Sequence, residues 1–211
     1  IEIYNSGTNT SQDVVQNADE AENMGIEFDF MWLATDNLTL GGNGSWTQTE
    51  YTSDFFVLED DNPLYPVPVF PSDPADPNSS AFLAQNLKGN DLKRIPEWKA
   101  TLWASYEWTL DAGTLTAGAT YSYTGEYWSS GIERDLDKVP DRDRLDISLT
   151  WRDSSDQWVV RGFVDNVMDK VYSRGIGTST ISGAAGSYAL SAELLYPQYF
   201  GVDVTFRFGA P

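Results

Sequence analysis

The chain contains no histidine and no cysteine. Their absence excludes Ser-His-Asp and Cys-His nucleophiles, the usual zinc ligand sets and any disulfide framework. Acid–base chemistry is left to carboxylates, tyrosine and lysine, and no catalytic residue, metal site or cofactor is nominated. Positive charge is also scarce: 13 Lys and Arg against 32 Asp and Glu leave a net charge of −19. Nucleic-acid binding relies on Lys and Arg displacing counterions from phosphates, so no nucleic-acid partner is expected. No apolar run approaches the roughly 20 residues of a membrane-spanning helix. The mean hydropathy of −0.38 has the value of a soluble protein. It does not speak against transmembrane β-strands, which need only every second residue to be apolar.

Aromatic residues are what the sequence holds in excess. They make up 14% of its 211 residues and include eight Trp, too many for a disordered acidic chain. The chain opens at Ile1 with neither an initiator Met nor a signal peptide, which reads as a mature or excised piece. Polarity alternates with period two almost throughout. Met24, Ile26, Phe28, Phe30, Trp32 and Ala34 fall on one side of a run that places Gly25, Glu27 and Asp29 between them. Trp98, Ala100, Leu102, Ala104, Tyr106, Trp108 and Leu110 do the same against Lys99, Thr101, Ser105, Glu107 and Thr109. A helix does not sort residues this way; a strand with one apolar face does. Further strands are predicted over 38–51, 114–127, 144–152, 157–168 and 200–208. Ile1 to Tyr4 adds the tail of an earlier strand, for about eight in all. No helix is predicted.

Thr35-Asp36-Asn37, Asp111-Ala112-Gly113 and Asp153-Ser154-Ser155-Asp156 have the chemistry of tight turns. The other connections are long: about 53–97, 129–143 and 169–196. The first holds Pro63, Pro66, Pro68, Pro71, Pro74 and Pro77, which bars central strands from it. Loops of this length are uncommon in a compact domain unless they are functional. Because short and long connections alternate, the turns gather at one end of the sheet and the loops at the other. Trp32 and Trp108 each stand three residues before a tight turn, and Trp151 and Trp158 flank the third. Trp46, Tyr51, Trp98, Tyr123, Tyr127 and Trp128 mark a second level at the loop end, with an aliphatic band between. Two aromatic belts around such a band suit the headgroup levels of a bilayer. A soluble β-sandwich also has one apolar face per strand, but its strands are usually about 5–6 residues long. Those read here run about 9–14, closer to a tilted membrane strand.

These residues resemble the C-terminal part of the β-barrel of TonB-dependent outer-membrane receptors. Asn23-Met24-Gly25-Ile26-Glu27-Phe28-Asp29-Phe30 is similar to a family strand, and Thr35-Asp36-Asn37-Leu38-Thr39-Leu40-Gly41-Gly42 to the turn that follows it. Arg94-Ile95-Pro96-Glu97-Trp98-Lys99 resembles the start of the next strand. Asp165-Asn166-Val167-Met168-Asp169-Lys170-Val171-Tyr172 resembles a run near the family's C-terminus, and Tyr199 to Phe208 its closing strand. Gly209-Ala210-Pro211 then follow, where family members commonly end at the aromatic residue. The resemblance implies an all-β, antiparallel, up-and-down transmembrane barrel segment over residues 1–211, part of a barrel of about 22 strands. The family's plug domain, its TonB-contacting N-terminal segment and most of the barrel strands are not in this sequence. It further implies import of a scarce nutrient across the cell outer membrane. The partners it implies are membrane lipid, a small-molecule ligand, the barrel-assembly machinery, and TonB acting through the missing N-terminal region.

Individual residues carry less. Trp103, a large aromatic on a polar face, either stacks a ligand or pads against a plug. By resemblance, the outer loops capture ligand, which makes Tyr65, Trp128, Tyr172 and Tyr188 contact candidates. Gly201, Val204, Phe206 and Phe208 are the elements expected of the assembly signal. The acidic loop with Asp54, Glu59, Asp60, Asp61, Asp73 and Asp76 is a solvated surface or a cation site without EF-hand spacing. Asp141-Arg142-Asp143-Arg144-Leu145-Asp146 reads as paired charges on an inner wall, with a selectivity ring as the other option. Glu59 and Asp61 would make a glycosidase pair only if a Pro-rich loop held them in place, so the chain is read as not an enzyme. A complete small eight-stranded barrel serving adhesion or binding is the alternative to an importer. A soluble, Trp-rich, sugar-binding sandwich is a third reading.

Overall fold

A computed structural model describes residues 2–5, 10–13, 20–57, 85–180 and 188–209. Seven long strands form one sheet: β1 (Ala21–Leu33), β2 (Leu38–Tyr51), β3 (Trp98–Leu110), β4 (Gly113–Thr124), β5 (Arg142–Asp153), β6 (Trp158–Asp165) and β7 (Tyr199–Phe206). Neighbours in sequence are neighbours in space, and every pair is antiparallel. The chain therefore meanders up and down, as the alternation predicts. β1 and β7 are the two edges and do not pair with each other. No α-helix occurs among the described residues.

The eighth predicted strand takes a different place. Glu2–Asn5 pairs with Thr10–Asp13 in a separate two-stranded ribbon. Period two identifies a strand but does not say which neighbour it finds. The connection after β6 also holds a hairpin that was not expected, Ser173–Thr180 against Tyr188–Leu194. Its first strand, rich in Gly, Ser and Thr, lacks the apolar alternation by which strands are recognised. Two shorter ribbons, Phe56–Val57 with Gln85–Asn86 and Tyr127–Trp128 with Lys138–Val139, fold the other long connections back on themselves.

The tight turns are closed by their own side chains. Thr35 Oγ1 accepts from the backbone N–H of Leu38 (3.0 Å) and of Asn37 (3.2 Å). Asn37 Nδ2 then donates to the Glu107 carbonyl at 2.7 Å, which ties this turn to β3. At the third turn the Asp153 carboxylate accepts from the N–H of Ser155 and of Trp158.

Register sorts the side chains into two faces. Trp32, Leu40, Ala104, Ala119, Ile147, Val164 and Phe200 are successive partners across all seven strands. One residue along, the opposite face carries Leu33, Thr39, Ser105, Gly118, Ser148, Phe163 and Gly201. Among the described residues nothing covers the apolar face: Phe28 is 51% exposed, Leu102 49% and Phe200 79%. The buried apolar residues among those described, Leu87, Tyr127 and Val139, lie in the long connections instead.

The tryptophans of the turn end do not follow a single register row. The row from Trp32 reaches Val164 in β6, yet the β6 tryptophan is Trp158, six residues nearer the turn. Six residues along a strand over five strand spacings place this line at about 40° to the register rows. The strands are thus tilted against the level that the tryptophans mark.

Candidate functional site

The polar face and the loop end hold the residues that could meet a ligand. β3 places Trp103 on the polar face, half-buried, directly over Gly41 of β2. A Cβ at position 41 would overlap the indole, so the glycine makes the space that the ring fills. Gly201 has the same relation to Phe163, whose ring would lie 2.7 Å from a Cβ there. Phe163 also carries the Arg161 guanidinium 4.6 Å from its ring centroid and meets Tyr199 edge-on at 5.7 Å. Glu27, Asp29, Asn43 and Ser45 line a polar recess of about 350 Å³ toward the β1 edge.

The mixed-charge run at the start of β5 divides between faces. Arg144 pairs with Asp146 at 2.6 Å and with Asp165 at 3.3 Å. Asp143 projects to the other side, where it accepts from Tyr121 Oη (3.3 Å), Lys170 Nζ (2.7 Å) and Tyr172 Oη. The expected pairing of charges is present, and no ring of like charge forms among the described residues. Asn166 explains the Asp165–Tyr172 motif. It is buried with φ of 54°, a left-handed conformation that Asn tolerates better than most residues. Its side chain donates to the Lys170 carbonyl and accepts from the Lys170 N–H, closing a turn that brings Lys170 back to Asp143.

At the loop end, residues 85–97 and 125–141 form one folded cap. The Arg94 N–H donates to the Trp128 carbonyl at 2.7 Å, and Asn90 Nδ2 to the Gly131 carbonyl at 2.8 Å. Arg134 and Asp137 make a buried ion pair beside Val139, which is fully buried. Tyr127 is buried beneath the Arg142 guanidinium and donates its hydroxyl to the Arg174 carbonyl, linking the cap to the following hairpin. Glu133 accepts from the Asp91 N–H, and burial raises its carboxyl above the usual glutamate range.

Among the described residues, the structure places the predicted contact residues Trp103, Trp128 and Tyr172 apart. Trp103 lies within β3 on the polar face. Trp128 lines a hollow of about 180 Å³ that it shares with Trp98 and Tyr123 of the apolar face. Tyr172 lines a separate hollow of about 110 Å³ with Arg142, Arg144 and Lys170, and its hydroxyl is engaged by Asp143. Tyr65 lies outside the described residues, and of Tyr188 only the backbone, as the first residue of its strand, is described. In the acidic loop, Asp54 pairs with Lys88 at 3.6 Å and accepts from Asn86, which together hold its carboxyl below the usual range. Glu59, Asp60, Asp61, Asp73 and Asp76 lie outside the described residues, and no metal-holding group of carboxylates occurs among those described. Sequence reasoning missed the hollow around Trp128. Its signal was the bunching of Tyr123, Tyr127 and Trp128 near a turn, which reads equally well as an interfacial belt.

Of the proposed assembly residues, Val204 is exposed on the apolar face. Phe206 meets Trp158 and Phe208 at ring distances of 4.6 Å each, and Phe208 is exposed beyond β7.

No curated protein sequence matches the chain. Solved structures do match its fold. The ferric yersiniabactin uptake receptor FyuA of Yersinia pestis superposes with a TM-score of 0.62 at 16% identity, covering 88% of this chain and 23% of that one. The siderophore receptor PiuA of Acinetobacter baumannii gives 0.61 at 17% identity, with 88% and 22% covered. BauA, the ferric preacinetobactin receptor of the same species, gives 0.56 at 18%, with 88% and 22% covered. The chain thus spans less than a quarter of the length of these proteins. Residues 2–167 match the sequence model of the TonB-dependent receptor-like β-barrel. With that match over most of its length and a sheet of the same architecture, the chain belongs to the TonB-dependent receptor β-barrel family of the outer membrane.

Proposed function

We propose that the chain is a wall segment of an outer-membrane, TonB-dependent importer of a scarce nutrient, such as a ferric siderophore or another large chelate or oligosaccharide. The observation that carries this reading is the sheet with one bare apolar face and one polar face. So large an exposed apolar surface needs a non-aqueous partner, and on this reading outer-membrane lipid covers it. The oblique line of tryptophans supports the same view, since about 40° is the strand tilt of transmembrane barrels. So does the spacing of Trp98 and Trp108: ten tilted strand residues rise on the order of 25 Å, the height of the lipid-facing band.

The polar face then lines the lumen, with Trp103 and the Arg144–Asp146–Asp165 cluster on it. The outer loops, with Tyr65, Trp128, Tyr172 and Tyr188 as contact candidates, take part in ligand capture. TonB and a plug would act through parts of the receptor beyond this chain. Gly201, Val204, Phe206 and Phe208 are proposed as what the barrel-assembly machinery reads. The family consists of transport receptors, and we assign this chain no reaction. Because β1 and β7 stay unpaired, the segment reading is favoured over a closed eight-stranded barrel.

The test is uptake of labelled ferric siderophores, other metal chelates and oligosaccharides by cells with and without the full-length gene. Loss of uptake for one class, restored by the gene and dependent on TonB, is the expected result. Unchanged uptake and growth on every class would refute the importer reading.

A further inference from the structure

The hollow around Trp128 has a chemistry that neither a lipid-facing belt nor the import reading explains. It is walled by Trp98, Tyr123, Tyr127 and Trp128, and its remaining lining includes Asp91, Glu97, Glu126 and Lys138. Three carboxylates against one ammonium leave that lining at a net −2. Aromatic faces are negative at their centres and attract cations, so the rings and the carboxylates favour the same charge. The protein already shows the preference. Lys138 Nζ stands 5.3 Å from the centroid of Trp128 and bonds Glu126 Oε1 at 2.6 Å. Arg142 stands over Tyr127, its guanidinium carbon 5.9 Å from the ring centroid. Among the described residues no protein cation stands over Trp98 or Tyr123, and Trp98 is 52% exposed.

Two of the carboxylates have fixed partners, Glu126 in Lys138 and Glu97 in Trp46. Glu97 Oε1 accepts from Trp46 Nε1 at 2.8 Å, and the Gly125 N–H donates to the Trp98 carbonyl at 2.8 Å, which sets the corner between β4 and the cap. At about 180 Å³ the hollow falls below the range of about 300–1,000 Å³ typical of drug-sized ligands. It suits a single small cationic group.

We propose that this hollow is a binding site for organic ammonium groups, with the trimethylammonium group as the representative guest and Lys138 as its tethered competitor. The guest packs against Trp98, Tyr123 and Trp128 while Asp91, Glu97 and Glu126 supply the counter-charge. Because Trp98 and Tyr123 belong to the apolar face, the same group could arrive on a free solute or on a lipid headgroup. The site does not depend on the import reading.

The test uses the full-length receptor in neutral maltoside detergent and follows saturation transfer to the methyl protons of choline. Its uncharged isostere 3,3-dimethyl-1-butanol and methyl glucoside are run beside it. Transfer to choline well above that to both neutral probes is expected. Glu126→Gln and Trp128→Ala should each weaken binding roughly fivefold. Lys138→Met should strengthen it, a direction that a merely structural lysine would not give. Heat-modifiable gel mobility checks that each variant folds, and Glu126→Gln and Lys138→Met keep the test valid if Trp128→Ala does not. Repeating the choline titration in phosphatidylcholine and phosphatidylglycerol nanodiscs separates the sources. Loss of the signal only in the former means that a headgroup fills the site, and survival in both means a solute site. No transfer to choline in detergent, transfer equal to that of the neutral isostere, a preference for the glucoside, or indifference to both Glu126→Gln and Lys138→Met would overturn the proposal.

Discussion

Leu102 and Thr101 are adjacent in β3, lie at almost the same depth and point to opposite faces of the sheet. Leu102 is six residues from Trp108 and four from Trp98, so it sits near the middle of the band between the two aromatic levels. It is half exposed, and its nearest cross-strand neighbours are Gly42 and Tyr121. Leu102→Arg places a guanidinium near the bilayer midplane, with no carboxylate at those two partner positions. The cost for such a site is about 2–4 kcal/mol, or about thirtyfold to a thousandfold in the folding equilibrium. Thr101→Arg adds the same side chain between Asn43 and Ser122 on the polar face, where water and neighbouring carboxylates can receive it. Its effect should stay below about 1 kcal/mol. Both variants would be made in the full-length receptor and unfolded with urea in lipid vesicles, with heat-modifiable mobility and outer-membrane yield as cellular readouts. Equal costs, or a larger cost for Thr101→Arg, would mean that the apolar face does not meet hydrocarbon, and the assignment of faces would fall with it.

Gly41→Val should displace the Trp103 indole and cost about 1–3 kcal/mol, and Trp103→Ala in that background should recover part of the loss in a double-mutant cycle of urea unfolding. Asn166→Ala removes both side-chain hydrogen bonds to Lys170 and leaves a left-handed backbone without its polar support. About 1–2 kcal/mol is expected from the same assay, with Asn166→Gly restoring only the backbone share. Glu133 has its carboxyl raised by burial, so the folded cap binds the proton more tightly than the unfolded chain does. Its contribution is therefore fully present below the ordinary glutamate range and fades as pH rises through the raised value. Proteolysis of the cap (residues 85–97 and 125–141) should accelerate on going from mildly acidic to neutral pH, and Glu133→Gln should flatten that dependence. An unchanged pH profile in the variant would assign the effect elsewhere.

Most of the sheet was legible because alternation is imposed by the physics of a two-sided environment. The runs at Met24 and Trp98 both became strands, and each short turn carried the side chains that close it, as with Thr35 and Asp153. Where only one face is constrained, the signal thins. The Ser173–Thr180 strand belongs to a hairpin beyond the sheet, and small polar residues suffice there. Position in space was harder still. Ile1 to Tyr4 was recognised as strand-like, but its partner proved to be Thr10–Asp13, because pairing depends on neighbours that periodicity does not encode. Ligand-contact residues are the least legible in sequence. An aromatic in a loop reads the same whether it stacks a ligand, as suggested for Trp128, or anchors a turn through its hydroxyl, as Tyr172 does at Asp143.

The distribution of burial ties fold to function. In a water-soluble sheet the apolar side chains would close over one another, and the largest buried residues would lie beneath the strands. Here Val139 and Tyr127 are buried in the cap, together with the Arg134–Asp137 pair, while the Phe28 and Leu102 rows stay bare. Among the described residues, burial of apolar side chains is thus found in the long connections, which on the proposed reading must hold their shape against solvent without lipid. A rigid cap on a wall fixes the positions of whatever it displays. On the proposed import reading, that is the physical reason to look for ligand selectivity in how residues 85–97, 125–141, 173–180 and 188–194 interlock rather than in any single aromatic side chain.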